Sequence, residues 1–342
     1  MRLAKWIMIG LVVWLILLPL GIEIAGRITR VDYDMVNAAL YWQGSQPTLY
    51  QESEDWVLHY ELKPGQKTEA QGPYGSWSAT VGALGNRGPS YSQVKPPGVF
   101  RILAFGSSTL FGDGVNDDAT LPGALERVLN EKGSSLTPTT SHFEVWNFGH
   151  SAYTLSQEAR LARLKMEQLS PDLVLVVFPS MTRRPYLGRD GVQQTDIYTW
   201  AQRDPLFYLE NFPPPPGIPS RHHYKLMQYS SIYRFWVARQ RILPSEGQLQ
   251  GPGVDLCRQM TSELQAFGQA AGVPIRYVVM SPNAIPHGLI PDPGAALSIY
   301  PQEPPPGIDA HPSRQILATW AELLADQLIR SRLVQIPSTP VQ

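Results

Sequence analysis

Two short stretches far apart in the chain carry the residue types that acyl transfer needs. AFGSSTLFGDGV, residues 104–115, sets Ser107 and Ser108 just past an apolar run, and GIDAHP, residues 307–312, sets Asp309 two positions before His311. A serine hydroxyl is a weak nucleophile until a histidine takes its proton. A carboxylate beside that histidine fixes its tautomer and stabilises the imidazolium. Asp309 and His311, two apart in an extended segment, point to the same side and could supply that pair. The glycines do not offer a better chemistry. A dinucleotide loop on Gly112-x-Gly114 would need its third glycine where Asp117 stands, and no Gly-Lys-Ser/Thr is present to cradle a phosphate. His222 and His223 are adjacent, and His59, His142 and His287 are scattered, without the spacing of a zinc site. No metal and no cofactor is expected.

The elements around these stretches must place them at one end of a sheet. VFRILAFG (99–106), HFEVWNFG (142–149), DLVLVVF (172–178) and VPIRYVVM (273–280) read as buried strands. Helices are expected over 117–133, 156–169, 255–272 and 311–333, with a capping Asp or Thr before the first and Gly133 closing it. Strands alternating with helices predict an α/β fold, a parallel sheet covered on both faces, with ligands at the carboxyl ends of the strands. The serine pair follows the first of those ends, and His311 opens the last helix.

Composition narrows the function classes. Lys and Arg total 28 against 29 Asp and Glu in 342 residues, so nothing electrostatic favours nucleic acid. A single cysteine, Cys257, excludes an intramolecular disulfide and a cysteine-based zinc site, and within a helix it reads as a small buried apolar residue. Thirty-two prolines predict long irregular loops. One is an excursion over about 181–250, holding NFPPPPGIPS and the aromatic helix candidate YKLMQYSSIYRFWVARQRIL; a loop so long is usually functional. Its aromatic residues could line an acyl or sugar wall.

The amino terminus sets the compartment. Residues 6–22 run without a charge, and about twenty helical residues reach the roughly 30 Å of a bilayer core. Arg2 and Lys5 make a basic start, as in a signal peptide. However, the apolar stretch is longer than such a peptide's, and a cut after Ala25 would put Glu23 at its −3 position. An uncleaved single-pass anchor over 1–30 is expected. Residues 31–98 follow as an irregular, partly β lead-in, then the α/β domain over 99–333 and a disordered tail over 334–342. Basic residues before the span orient the amino terminus inside and the body outside.

The motifs resemble those of the SGNH/GDSL hydrolase family. FRILAFGSSTLFGDGV is similar over its whole length to that family's first block, RILxLGDSxTFGxGV, VWNFGHSAYT occupies the second block, and GIDAHPS the last. YELKPG and ALGNRG, ahead of KPPGVFRIL, look like the preamble of membrane-anchored members. The resemblance covers roughly residues 56–329 and implies a three-layer α/β/α, flavodoxin-like sheet.

It also implies roles. Ser108 becomes the nucleophile, His311 the general base and then acid, and Asp309 its orienter. The oxyanion hole would use the N–H groups of Ser108 and of the second-block residue, here Ala152 in place of glycine. The third-block asparagine is missing from Phe178-Pro179-Ser180-Met181-Thr182, leaving Ser180 as a substitute hydroxyl and His150 as a further candidate. Ser107 stands where the family has aspartate. One lost side-chain donor slows such a reaction by roughly 10²–10³ without abolishing it. The implied function is a serine esterase, or an acyl-transferring variant, acting on acyl esters of glycans or lipids in a bacterial envelope. The competing expectation is a degenerate domain of the same fold that binds envelope glycan or a protein partner.

Overall fold

The computed structural model describes residues 2–29, 41–42, 49–55, 57–58, 60–133, 142–151, 153–178, 186–187, 215, 217–240, 252–280, 289–299 and 311–334. The first helix, α1 (Arg2–Thr29), is almost wholly exposed although apolar. Within it, Gly10–Thr29 is long and apolar enough to cross a membrane.

The lead-in forms two antiparallel pairs: β1 (Tyr50–Glu52) with β2 (Tyr60–Leu62), and β3 (Lys67–Gly72) with β4 (Gly75–Thr80). β3 and β4 meet at Pro73 and Tyr74, where Gly75 supplies a φ of 107°. The main sheet begins with β5 (Val99–Gly106), followed by the single turn α2 (Ser108–Phe111) and the helix α3 (Leu121–Lys132). Next come β6 (His142–Gly149), α4 (Leu155–Leu169) and β7 (Leu173–Phe178). Among the described residues of the excursion lie the helices α5 (Ser220–Tyr229) and α6 (Ser231–Gln240), so the aromatic segment read as one helix breaks at Ser230. Helix α7 (Pro252–Ala271), β8 (Ile275–Val279), β9 (Ala296–Ser298) and α8 (Arg314–Arg330) complete the chain.

All five main strands are parallel, in the order β9-β8-β7-β5-β6. Numbered along the sheet's own sequence this is 2-1-3-4-5, the flavodoxin-like winding, whose order reverses between its first and third strands. Side chains alternate between two cores, as a period of two requires. Leu103 and Phe105 of β5 join Val174 and Val176 of β7 beneath α4 and α7. Ile102 and Ala104 join Leu173 and Leu175 beneath α3 and α8. The protein is therefore a three-layer α/β/α fold. Tyr50, Tyr60, Leu62, Trp77 and Val81 of the lead-in belong to the first of these cores.

Local chemistry fixes the helix starts. Thr120 caps α3 by accepting the Gly123 N–H, and Thr154 and Gln157 form a reciprocal capping box on α4. Ser313 caps α8 two residues after His311, which fixes where that histidine leaves the helix axis. Val334, assigned from sequence to the tail, is buried with the α8 core, whereas 335–342 lie outside the described residues.

Candidate active site

The reversal point of the strand order lies between β5 and β7, and the chain leaves β5 there through Gly106, Ser107 and Ser108. Ligands of open α/β sheets collect in this crevice. Ser107 is extended (φ −84°, ψ −157°) and Ser108 starts α2, so the chain turns sharply at the sheet edge. As the first helical residue, Ser108 has an N–H without an intrahelical acceptor. Its side chain is half-buried, while Ser107 is buried.

Two glycines allow α2 to press on the strand ends. A Cβ on Gly149 would stand 2.3 Å from the Phe111 nitrogen, and one on Gly106 would stand 2.8 Å from the Leu110 Cβ. Asn147 ties the same elements together. Its amide donates to the Leu110 carbonyl (3.0 Å), and its Oδ1 accepts from the Gly149 N–H (2.9 Å).

Arg87 holds the loop that follows Ser108. Nε donates to Asp117 (2.9 Å), Nη1 to the carbonyls of Phe111 (2.6 Å) and Gly112 (2.7 Å), and Nη2 to those of Ser78 and Val115. All five guanidinium protons are thus used. The group is packed against Phe111 and Trp77, with Cζ 4.5 and 5.3 Å from the two ring centres. Burial lowers the Arg87 pKa from its ordinary value, and the charges of Asp117 and Asp113 oppose that effect.

His311 comes back to this turn from the far end of the sequence. Its Nε2 lies 3.9 Å from Asp113 Oδ2, and its carbonyl accepts from the Tyr74 hydroxyl at 3.1 Å. The Asp113 N–H in turn points at the Ser108 carbonyl (3.3 Å). His311 therefore lies against Asp113 of the turn that Ser108 opens, and among the described residues no hydrogen bond joins the side chains of Ser108 and His311. Asp113 is almost completely buried and its Oδ2 also accepts from Ser151 Oγ (2.9 Å).

Beneath Ser151 lies a buried polar network. The Tyr50 hydroxyl accepts from the Ser151 N–H (3.0 Å), and the Tyr60 hydroxyl donates to the Ser151 carbonyl (2.5 Å). Burial pushes both phenols above their ordinary pKa, so they remain protonated. His150 belongs to this scaffold. It is buried, stacked on Tyr153 at 4.2 Å, and its Nε2 accepts from the Leu62 N–H (3.2 Å). Its Nδ1 faces the Phe148 carbonyl (3.1 Å), which can only accept, so that nitrogen carries the proton. Burial pulls its pKa down to about 3. With both ring nitrogens committed to backbone groups, His150 is not the oxyanion donor that the sequence offered it as.

Of the residues singled out from sequence, Ser108 opens the turn and His311 reaches Asp113 within it. Asp309, Ala152 and Ser180 lie outside the described residues. Asp113, Arg87, Asn147 and Tyr74 were not singled out. Only the acid in the Gly-Asp-Gly of the loop offered a local signal, and it was read for its glycines.

Fold and site together define a doubly wound α/β protein with a serine at the reversal point and a histidine and buried carboxylate beside it. No family model matches the chain. No curated protein matches it either. Among solved structures it is similar to the psychrotrophic esterase EstA from Pseudoalteromonas sp., at 13% identity and a TM-score of 0.35 over 68% of this chain and 98% of that one. It is also similar to a lipase/acylhydrolase from Enterococcus faecalis, at 15% identity and a TM-score of 0.28 over 68% and 96% of the two chains. A third likeness is to the acetylxylan esterase Axe2 from Geobacillus stearothermophilus, at 14% identity and a TM-score of 0.26 over 70% and 97%.

Proposed function

We propose that the chain is a membrane-anchored serine esterase of the SGNH/GDSL type, with acyl transfer as a variant of the same chemistry. One observation supports the reading: His311 Nε2 lies 3.9 Å from Asp113, in the turn that Ser108 opens at the carboxyl end of the first strand of the parallel sheet. Ser108 Oγ attacks the ester carbonyl while His311 accepts the hydroxyl proton. The carbonyl oxygen becomes an oxyanion facing the Ser108 N–H. Collapse breaks the bond to the alkoxide, which takes the proton from His311 and leaves acyl-Ser108. Water, or a second hydroxyl, then loses a proton to His311 and attacks the acyl carbon, and Ser108 leaves with that proton.

Two carboxylates serve the histidine in this reading. Asp309 orients the ring, as in the family's last block, and Asp113 lies on the Nε2 side, where the imidazolium charge forms. The Ala152 N–H and the Ser180 hydroxyl complete the oxyanion hole. The long apolar α1 supports retention at the bacterial cytoplasmic membrane, and Arg2 and Lys5 favour a body facing the periplasm or outer surface. Acyl esters on envelope glycans or lipids are the substrates within reach of such a domain.

The test is the full chain in detergent, wild type beside Ser108→Ala, treated with a fluorophosphonate probe and assayed on p-nitrophenyl acetate. Labelling and turnover confined to the wild type are expected. A folded wild type that does neither would sink the esterase and turn attention to glycan or partner binding.

A further inference from the structure

The hairpin of α5 and α6 turns large apolar side chains outward, although Met227 and Val237 are buried and Arg221, His222 and Lys225 are exposed. His223, Ser231 and Arg234 are buried, while Leu226, Tyr229, Ile232, Phe235 and Trp236 are exposed. The polar interior is satisfied: His223 Nδ1 bonds the Tyr233 hydroxyl (2.8 Å), and Arg234 Nη1 donates to the Met227 carbonyl (2.8 Å). On α6 the exposed residues 232, 235 and 236 follow the spacing of one helical face, and on α5 residues 226 and 229 do the same. A helix in water would place its aromatic residues inward and its arginine outward.

The hairpin is fastened to α1 at one level. Glu23 accepts from the Ser231 N–H (2.9 Å), the Ile232 N–H (3.1 Å) and the Ser230 hydroxyl (3.2 Å), so it caps α6 from outside. Arg27 donates to Glu23 (2.9 Å) and to the Tyr229 carbonyl (2.5 Å). Gly26 permits the approach, because a Cβ there would stand 2.0 Å from Ser231 Oγ. This level has a meaning if α1 spans a bilayer. The uncharged run 6–22 is about 25 Å long at helical rise, slightly less than a hydrocarbon core, so Glu23 to Arg27 fall at its polar edge. Tyrosine and tryptophan are enriched at that depth, and amphipathic helices lie there with their apolar face in the acyl boundary. Lys225 and Arg221 are exposed on α5, where they can meet phosphate headgroups.

We infer that the α5–α6 hairpin is seated in the membrane interface, with the face of Leu226, Tyr229, Ile232, Phe235 and Trp236 against lipid. The inference rests on the anchor reading of α1 and adds a second membrane contact to it. Continuity with α1 through the Glu23 cap is what selects lipid over a protein partner as the occupant of this face.

The experiment uses the full chain reconstituted in phosphatidylcholine–phosphatidylglycerol vesicles. Trp236→Cys, Ile232→Cys, Leu15→Cys and Val94→Cys each receive an NBD label, and the buried Cys257 of the unsubstituted chain gives the blank. Quenching by lipids carrying a nitroxide high on the acyl chain is then read. Leu15, in the span, and the two hairpin sites should be quenched several-fold more than Val94, which is 80% exposed on the body. Strong quenching at 15 with 232 and 236 behaving like 94 would overturn the hairpin inference and leave the anchor standing. No quenching at 15 would overturn the anchor reading and this one with it. Blue-shifted but unquenched labels at 232 and 236 would assign the face to a protein instead, and overturn the inference. Two hairpin sites keep the test independent of one failed variant.

Discussion

His311 Nε2 stands 3.9 Å from Asp113 Oδ2, five residues after Ser108 and nearly two hundred before the histidine in sequence. That spacing is longer than a hydrogen bond and short enough for a strong charge interaction once the ring is protonated. It places a buried negative charge where a proton taken from Ser108 would reside.

Asp113→Asn removes that charge while keeping an acceptor for Ser151. We expect kcat to fall roughly 10–100-fold with KM little changed, the pattern of an interaction made in the transition state. Asp113→Glu should recover part of the loss. A variant with unchanged kcat would leave Asp113 as a purely structural residue.

If Ser108 and His311 act as the proposed catalytic pair, Ser108→Ala and His311→Ala should each lower turnover by roughly 10³-fold or more, and the double variant should lose little beyond the larger single effect. Thermal unfolding should be nearly unchanged in Ser108→Ala. Multiplying losses in the double variant would show that the two residues do not cooperate.

Arg87→Lys tests the clamp on the loop that follows Ser108. Lysine offers a point charge in place of a planar fork with five donors. The carbonyls of Phe111, Gly112 and Val115 would compete for it, and we expect a loss of about 3–5 kcal/mol in unfolding free energy. Fluorophosphonate labelling of Ser108 should slow in parallel. Denaturant midpoint and labelling rate together check it.

Gly149→Ala probes the contact between β6 and α2. The added methyl would meet the Phe111 backbone at 2.3 Å, too close for any side-chain adjustment to relieve. A destabilisation of roughly 1–3 kcal/mol is expected, together with slower turnover from displacement of α2. An unchanged midpoint would mean that the turn moves freely.

His150 gives a pH signature. Its folded pKa of about 3 lies below the value near 6.5 that it takes when unfolded, so between those limits the unfolded chain holds the extra proton. Stability from this group is complete above about pH 6.5 and falls by about 1.4 kcal/mol per pH unit as acid is added, down toward pH 3. His150→Asn should unfold more easily at pH 7 and show a shallower acid slope. Denaturant midpoints at several values from pH 7 to pH 5 measure both.

The α/β layering was readable because each buried strand is a short apolar run and each helix carries its own caps. Ser108 and His311 stand out in the sequence because their neighbours form recognisable local patterns. The fifth strand, β9, escaped: three residues inside a proline-rich segment leave no period to count. The supports of the site escaped for a different reason. Tyr50 meets Ser151 across 101 positions, and Arg87 meets Val115 across 28. Nothing at either position records its partner. Arg87 and His150 become interior residues only when the aromatic lead-in closes over them.

Glu23 gives α1 a bearing on how the protein is made. Were a leader peptidase to cut after Ala25, the carboxylate that caps α6 would depart with the peptide. The N–H groups of Ser231 and Ile232 would then lose their acceptor, and the aromatic face beside them would be left in water. The amino-terminal helix is thus a structural neighbour of the α5–α6 hairpin, and a form trimmed of it would have to re-cap that hairpin or aggregate through it.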